Sequence, residues 1–228
     1  MNSMTSEAVP IPGNPTNDGS LSELAYQAIM GMLLRGELVP NQIVTERQIA
    51  ARLGMSRTPL REATRRLEGE RFLERHPSGT LIVRPLPVDE FVHILGVRRV
   101  LEAEAARLAT GHIGRDELQR IRDRVVELRG LPEDQPPPPA LADVGRDLHL
   151  QIAAASGNPI LQLLIEDLRK RTAMVRLGRM PARRVAVCSE HLAIIDAMGA
   201  GNADKAAHAM QQHVDRVRAT ILERLRGR

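Results

Sequence analysis

Three histidines and a group of arginines are the residues whose type and spacing point to chemistry. At helical spacing His149 shares a face with Leu148, Ile152 and Ala153, and His191 with Val187, Ile194, Ile195 and Met198. His213 borders Met210, Val214 and Val217. One inward histidine from each of three helices can converge on a divalent metal ion in a bundle core. Taken singly, each also reads as a core histidine satisfied by its neighbours. His76, His93 and His112 lack such company, and His208 stands with Asp204, Gln211 and Gln212 on a solvated face.

The arginines suggest a different task. Thirty of the 32 basic residues are Arg, the exceptions being Lys170 and Lys205. GC-rich coding favours Arg by itself, so position has to decide. Arg57, Arg61, Arg65, Arg66, Arg71 and Arg75 follow one another closely, with Arg57 and Arg61 on one face at the start of an expected helix. An arginine presented there to the major groove can bond O6 and N7 of guanine together. Ser56 and Thr58 stand where hydroxyls or helix-start amides meet phosphate. A solvated charged helix face has the same composition, and only the flanking elements separate the two readings.

Composition narrows the field. The chain has 228 residues, net charge +4 and only three aromatic rings, Tyr26, Phe72 and Phe91. Its core must be aliphatic, and it lacks the ring platforms on which single-stranded nucleic acid stacks or that cage a quaternary ammonium. A lone cysteine, Cys188, excludes an internal disulfide framework and fits a reducing compartment. No secretory signal opens the chain, and the longest stretch without Asp, Glu, Lys or Arg, 148–165, holds His, Gln, Ser, Asn and Pro. A cytoplasmic protein that does not cross a membrane is expected.

The elements that must position these residues follow from periodicity. Residues 1–20, with three prolines and no basic residue, read as a disordered arm. Helical spacing runs from Leu21 to Gly36. Thr45 with Gln48 makes a capping-box pattern for a short helix that stops at Gly54. Another helix spans about 57–71, capped by Ser56 or by Thr58 with Pro59 behind it. Residues 72–75 and 81–84 flank His76-Pro77-Ser78-Gly79-Thr80 as a hairpin. This is the element order of a winged helix-turn-helix, over 21–86. Past Pro85 and Pro87, residues 87–228 read as six helical segments: 88–111, 115–130, 140–156, 158–178, 181–199 and 202–226. The Pro136–Pro139 tract is either a polyproline ligand for a partner or a stiff surface loop. The fold class is mostly α, with both halves carrying +3 and the arm −2, so overall charge does not separate their tasks.

The run Glu46-Arg47-Gln48-Ile49-Ala50-Ala51-Arg52-Leu53-Gly54-Met55-Ser56-Arg57-Thr58-Pro59-Leu60-Arg61-Glu62-Ala63 resembles the signature of GntR-family transcriptional regulators. The resemblance places DNA contacts on Arg47, Ser56, Arg57, Thr58 and Arg61, with a wing tip at Ser78, Gly79 and Thr80. It departs from the family where Asn41 replaces the glycine of the first loop and Arg71 the glycine before the first wing strand. Residues 88–226 resemble the FCD effector domain of the FadR/VanR branch, through Arg98-x-x-x-Glu102, Leu148-His149, Ala154 to Asn158, Ser189-Glu190-His191 and His213. Six helices point to its VanR-like subgroup.

That resemblance implies a divalent ion, zinc, on His149, His191 and His213, and a small organic acid as effector. It also implies effector contacts at Arg98 and Asn158, although Arg98 can equally be an intrahelical partner of Glu102. Metal-binding members carry an Asp four residues before the first His, where this chain has Gly145. Asp147 faces nearly the opposite way, and Asp143 lies six residues off. Weaker affinity follows, with water or an effector carboxylate filling the open positions. The reading is a homodimeric regulator of operator DNA, a repressor controlled by an organic acid, and not an enzyme. The alternatives are a three-histidine hydrolase fused to a DNA-binding module, for which no well-placed base is visible, and a ligand-free architectural protein.

Overall fold

The structure, a computed structural model, describes residues 16–132, 135–173 and 183–226. Two compact units follow one another, residues 1–85 and 86–228.

In the first unit α1 (Thr16–Arg35) packs on α3 (Arg57–Gly69), burying Ala25, Tyr26, Ile29 and Leu33 against Leu60, Ala63 and Leu67. The helix expected from Leu21 begins at Thr16, so residues 16–20 are helical and not part of a disordered arm. The rest of that arm, residues 1–15, lies outside the described residues. Between these helices stands α2 (Glu46–Leu53), opened by the expected capping box. Thr45 Oγ1 accepts from Gln48 N–H at 3.2 Å, and Gln48 Oε1 from Thr45 N–H at 2.8 Å. Gly54 closes it at φ 64°, a left-handed turn natural to glycine.

The hairpin forms as β2 (Leu73–Arg75) and β3 (Leu81–Val83), antiparallel, with Glu74 opposite Ile82. A strand that the sequence did not announce, β1 (Ile43–Val44), adds to the other side of β3 and makes a three-stranded sheet in the order β1-β3-β2. Asn41 adopts φ 66° and donates its N–H to Val83 O at 2.8 Å, so the glycine substitute keeps the left-handed turn.

Arg71 also sits at φ 64°, just past α3. The N–H of Phe72 reaches back to Leu67 O at 2.8 Å, a left-handed helix ending that glycine usually serves. A side chain there costs about 1–2 kcal/mol, partly offset by the extra entropy glycine brings to the unfolded chain. Arg71 is exposed, so Arg71→Gly is expected to stabilise the fold by about 1 kcal/mol, read as a higher denaturant midpoint. An unchanged or lower midpoint refutes this account of the helix end.

The second unit is helical throughout: α4 (Val88–Ala109), α5 (Arg115–Gly130), α6 (Pro139–Ala142), α7 (Val144–Ala155), α8 (Pro159–Ala173), α9 (Arg184–Gly199) and α10 (Ala203–Arg226). The segment expected over 140–156 is split at Asp143, leaving α6 as one turn. Residues 174–182 of the expected fourth and fifth segments lie outside the described residues. Around the long α4 pack α7, α8 and α10, and α9 sits between α5 and α10. Ala105, Ala106, Leu148, Ile152, Ile165, Ile194, Ile195 and Met210 belong to its aliphatic core. Of the proline tract, Pro136 to Pro138 lie exposed ahead of α6, which starts at Pro139, and the chain on either side is pinned. Arg184 donates to Leu131 O at 2.6 Å and Gln135 O at 2.8 Å, and Arg124 to Ala140 O at 2.8 Å.

Candidate functional site: a nucleic-acid interface and a metal centre

In the first unit, ion pairing sorts the arginines. Arg66 is held by Glu23 at 2.7 Å and Glu70 at 3.0 Å, with its guanidinium 3.7 Å above the Tyr26 ring. Arg75 ties the wing to both helices of the helix-turn-helix, reaching Glu46 at 2.9 Å and Glu68 at 2.5 Å. Bonding to Glu68 holds its pKa up. These two are structural. Arg47, Arg57 and Arg61, by contrast, are exposed and form no ion pair among the described residues. α3 starts at Arg57, with Ser56 at the capping position but without a side-chain cap bond, so its hydroxyl remains available. Thr58 is exposed beside it, while Pro59 and Leu60 turn inward.

The wing tip is ordered by its own bonds. His76 accepts Gly79 N–H at 2.8 Å and Ser78 Oγ lies 3.0 Å from Thr80 Oγ1, with Gly79 at φ 84°. Ser78 and Gly79 are exposed and Thr80 half-buried. Free arginines at the start of an exposed helix, flanked by an exposed hairpin, are what groove reading requires.

In the second unit the three histidines come together. His149 on α7, His191 on α9 and His213 on α10 are all buried, with ring centroids 4.7–5.3 Å apart. One nitrogen from each lies within 4.8 Å of the others. The orientation of two rings is set from outside. His149 Nδ1 contacts Glu102 Oε2, and His213 Nδ1 lies 2.8 Å from Glu190 Oε2. A carboxylate accepts only, so both Nδ1 atoms carry the proton and both Nε2 atoms present lone pairs. His149 Nε2 and His191 Nε2 are 3.4 Å apart, close to the edge of a tetrahedron with zinc–nitrogen bonds of about 2.0–2.1 Å.

Electrostatics keep the trio neutral. Burial drives His149 down to about 3 and His191 well below its ordinary value, and it outweighs Glu190 in lowering His213. Neutral imidazole is the metal-binding form. Burial alone would raise the Glu102 carboxyl, but Arg98, His149 and Arg169 hold it well below the usual range. Glu190 is likewise held low against burial by His213 and Arg183.

Neutral buried histidines also tie stability to pH. An unfolded His titrates near 6.5 and His149 only at about 3, so the unfolded chain binds the extra proton as pH falls. This stabilisation is complete above about pH 6.5 and lost below it, by about 2 kcal/mol at pH 5 for His149, with His191 and His213 acting in the same direction. Denaturant unfolding with chelator present should therefore show a lower midpoint at pH 5 than at pH 7, with a smaller difference in His149→Asn. Equal differences in both proteins refute it.

The fourth-ligand position is closed by geometry. A Cβ on Gly145 would stand 2.8 Å from His191 Cε1, so the ring occupies the space of the missing side chain. Neither nearby aspartate replaces it: Asp143 pairs with Arg146 at 3.1 Å and Asp147 with Arg124 at 3.2 Å. Of the two expected effector residues, Arg98 is buried against Glu102 at 2.6 Å and donates to Thr172 Oγ1 at 2.8 Å. Asn158 is not brought to the histidines. It is exposed at the start of α8, where its Oδ1 accepts Leu161 N–H at 3.1 Å.

Two residues outside the expected ligand and effector sets complete the site. Glu190 neighbours His191 in sequence and serves His213 on the next helix, α10. Arg169 on α8 places Nη1 3.3 Å from both Glu102 oxygens, while its buried Nε has no partner.

Comparison with known proteins agrees with both halves. Residues 21–83 match the family of bacterial regulatory proteins of the gntR type, and residues 93–216 match the FCD domain. The chain is 28% identical over 188 residues to the Nta operon transcriptional regulator of Aminobacter aminovorans, covering 82% of this chain and 88% of that protein. It is 28% identical over 222 residues to the Uxu operon regulator of Haemophilus influenzae, covering 85% and 81%. Among solved structures, E. coli McbR/YncC shares the fold with a TM-score of 0.78 at 22% identity, over 90% of this chain and 98% of that one. The chain belongs to the GntR family of DNA-binding transcriptional regulators, in the FadR-type branch that carries an FCD domain.

Proposed function

We propose that this regulator is a cytoplasmic homodimeric repressor whose FCD unit holds zinc on His149, His191 and His213 and senses a small organic acid there. The observation that carries this reading is the pair of buried carboxylate–histidine contacts, Glu102–His149 and Glu190–His213, which aim both Nε2 lone pairs inward. The donor set suits zinc. When bound, the ion supplies a Lewis-acid position to which an anion can attach.

Charge supports an acidic effector. Arg98 and Arg169 share the single carboxylate Glu102 among neutral histidines, which leaves one positive charge unbalanced. The free Nε of Arg169 is a donor for an effector carboxylate, and Arg98 supports it from α4. The same contacts weigh against a hydrolase, because both carboxylates at the trio are engaged by histidine and arginine and neither is a free base. Recognition would place Arg47, Ser56, Arg57, Thr58 and Arg61 on the major-groove side and Ser78 to Thr80 at the wing. An effector changes DNA affinity only as far as it prefers one dimer state.

Two measurements test this. Protein purified without chelator should carry zinc that the His149→Ala/His191→Ala/His213→Ala variant lacks, and equal, near-zero content in both overturns the metal site. Footprinting on the chain's own upstream region, with dicarboxylates and sugar acids added singly, should show a protected pseudo-palindrome that one acid releases. No protection at moderate salt overturns operator binding.

A further inference from the structure

β2 is an edge strand in the order β1-β3-β2, so the sheet holds it from one side only. Its last residue, Arg75, stands where the hairpin leaves the sheet for the tip. From there the side chain branches to three elements. Nε lies 3.0 and 3.1 Å from the two carboxylate oxygens of Glu68 on α3, and Nη2 lies 2.9 Å from Glu46 at the start of α2. Nη1 donates to Gly79 O at the wing tip, at 3.4 Å. Nη2 also donates at 3.5 Å to Oγ1 of the fully buried Thr64, which itself donates to Arg61 O at 3.1 Å. One guanidinium thus joins the helix that carries Arg57 and Arg61, the neighbour of Arg47, and the loop that carries Ser78 and Thr80.

Charge says what this cluster is not for. Two carboxylates face one guanidinium, so the group is net negative and repels phosphate. Its effect on DNA has to come through geometry. A planar fork held at several points fixes direction as well as distance, which an ammonium on a flexible stem does not. The distance from the wing tip to the start of α3 decides whether both can engage one stretch of duplex together. We propose that Arg75 is a positioning residue for operator binding: held by Glu46 and Glu68 and bonded to Gly79 O, it sets the wing tip against α3 so that both reach the DNA at once. The inference rests on the placement of α3 and the wing on DNA given under the proposed function.

The test uses the full chain and DNA from its own upstream region, with hydroxyl-radical footprints, titrations and thermal melts. The wild type should protect in each half-site a centre that faces α3 and a flank that faces the tip. Arg75→Lys and Arg75→Met should both keep the centre and lose the flank, with affinity lower by about tenfold. Glu68→Ala should do the same, although removing an acid near phosphate by itself tightens binding. If Arg75→Lys binds as the wild type does and Arg75→Met does not, the residue acts as a charge, and the proposal is overturned. So it is if centre and flank fade together in step with a lower melting temperature, the mark of a merely structural role. Tighter binding by Glu68→Ala with an intact flank overturns it too. In these three cases the wild-type flank persists and the placement of the wing stands without Arg75. A wild type that protects no flank removes both.

Discussion

Glu102→Ala is expected to destabilise the FCD unit by about 3–5 kcal/mol, because it strips one buried anion from the buried Arg98, the largely covered Arg169 and a buried histidine. Arg98 would lose its 2.6 Å partner, Arg169 both of its 3.3 Å contacts, and His149 the acceptor that orients its ring. Burial already lowers the Arg169 guanidinium to about 10, even with Glu102 beside it. The penalty is therefore that of uncompensated charge more than of lost attraction, which predicts the repair. Adding Arg98→Met and Arg169→Met to Glu102→Ala should recover most of the denaturant midpoint, since apolar groups of similar volume often replace a buried ion cluster at little cost. The repaired protein should lose effector response, because it no longer has the unbalanced cation. A Glu102→Ala protein within 1 kcal/mol of wild type would show that this cluster is not desolvated as described.

Much of this was legible in the chain before folding, where one residue's role depends on neighbours near in sequence. The Thr45–Gln48 capping box, Gly54 and the tip at Ser78 to Thr80 are local patterns, and the structure forms them as such. The three histidines were found by periodicity because each sits on an apolar stripe. What periodicity cannot supply is the partner across helices. Glu190 is one residue from His191 and so about 100° around α9, which aims it away from its neighbour and toward His213 on α10. Arg169 reads as one more charge in a basic helix end until Glu102, 67 positions earlier, is seen against it. β1 has two residues, too few for alternation to register, and exists because β3 offers it an edge. Asn158, which the resemblance gives to the effector, caps α8 in this structure, a local role that the family position does not reveal.

The same distinction between local and distant partners predicts opposite outcomes for two arginines nine positions apart on α3. Arg57→Ala should leave the melting of the DNA-binding unit nearly unchanged, because the side chain is exposed and pairs with nothing among the described residues. Its loss should appear at the operator, as about 1–3 kcal/mol of lost discrimination at one base pair in each half-site, with affinity for other sequences little altered. Arg66→Ala should do the contrary. It breaks two ion pairs with Glu23 and Glu70 and uncovers the Tyr26 ring, whose buried phenol donates to Glu70 at 2.7 Å. The unit should melt earlier while the base preference of the protein that remains folded stays intact. Binding measured on a panel of single-base operator variants, beside thermal melts of both proteins, separates the two. If Arg57→Ala weakens every sequence alike, the residue holds phosphate and the reading of guanine passes to Arg61, four residues further along the same face.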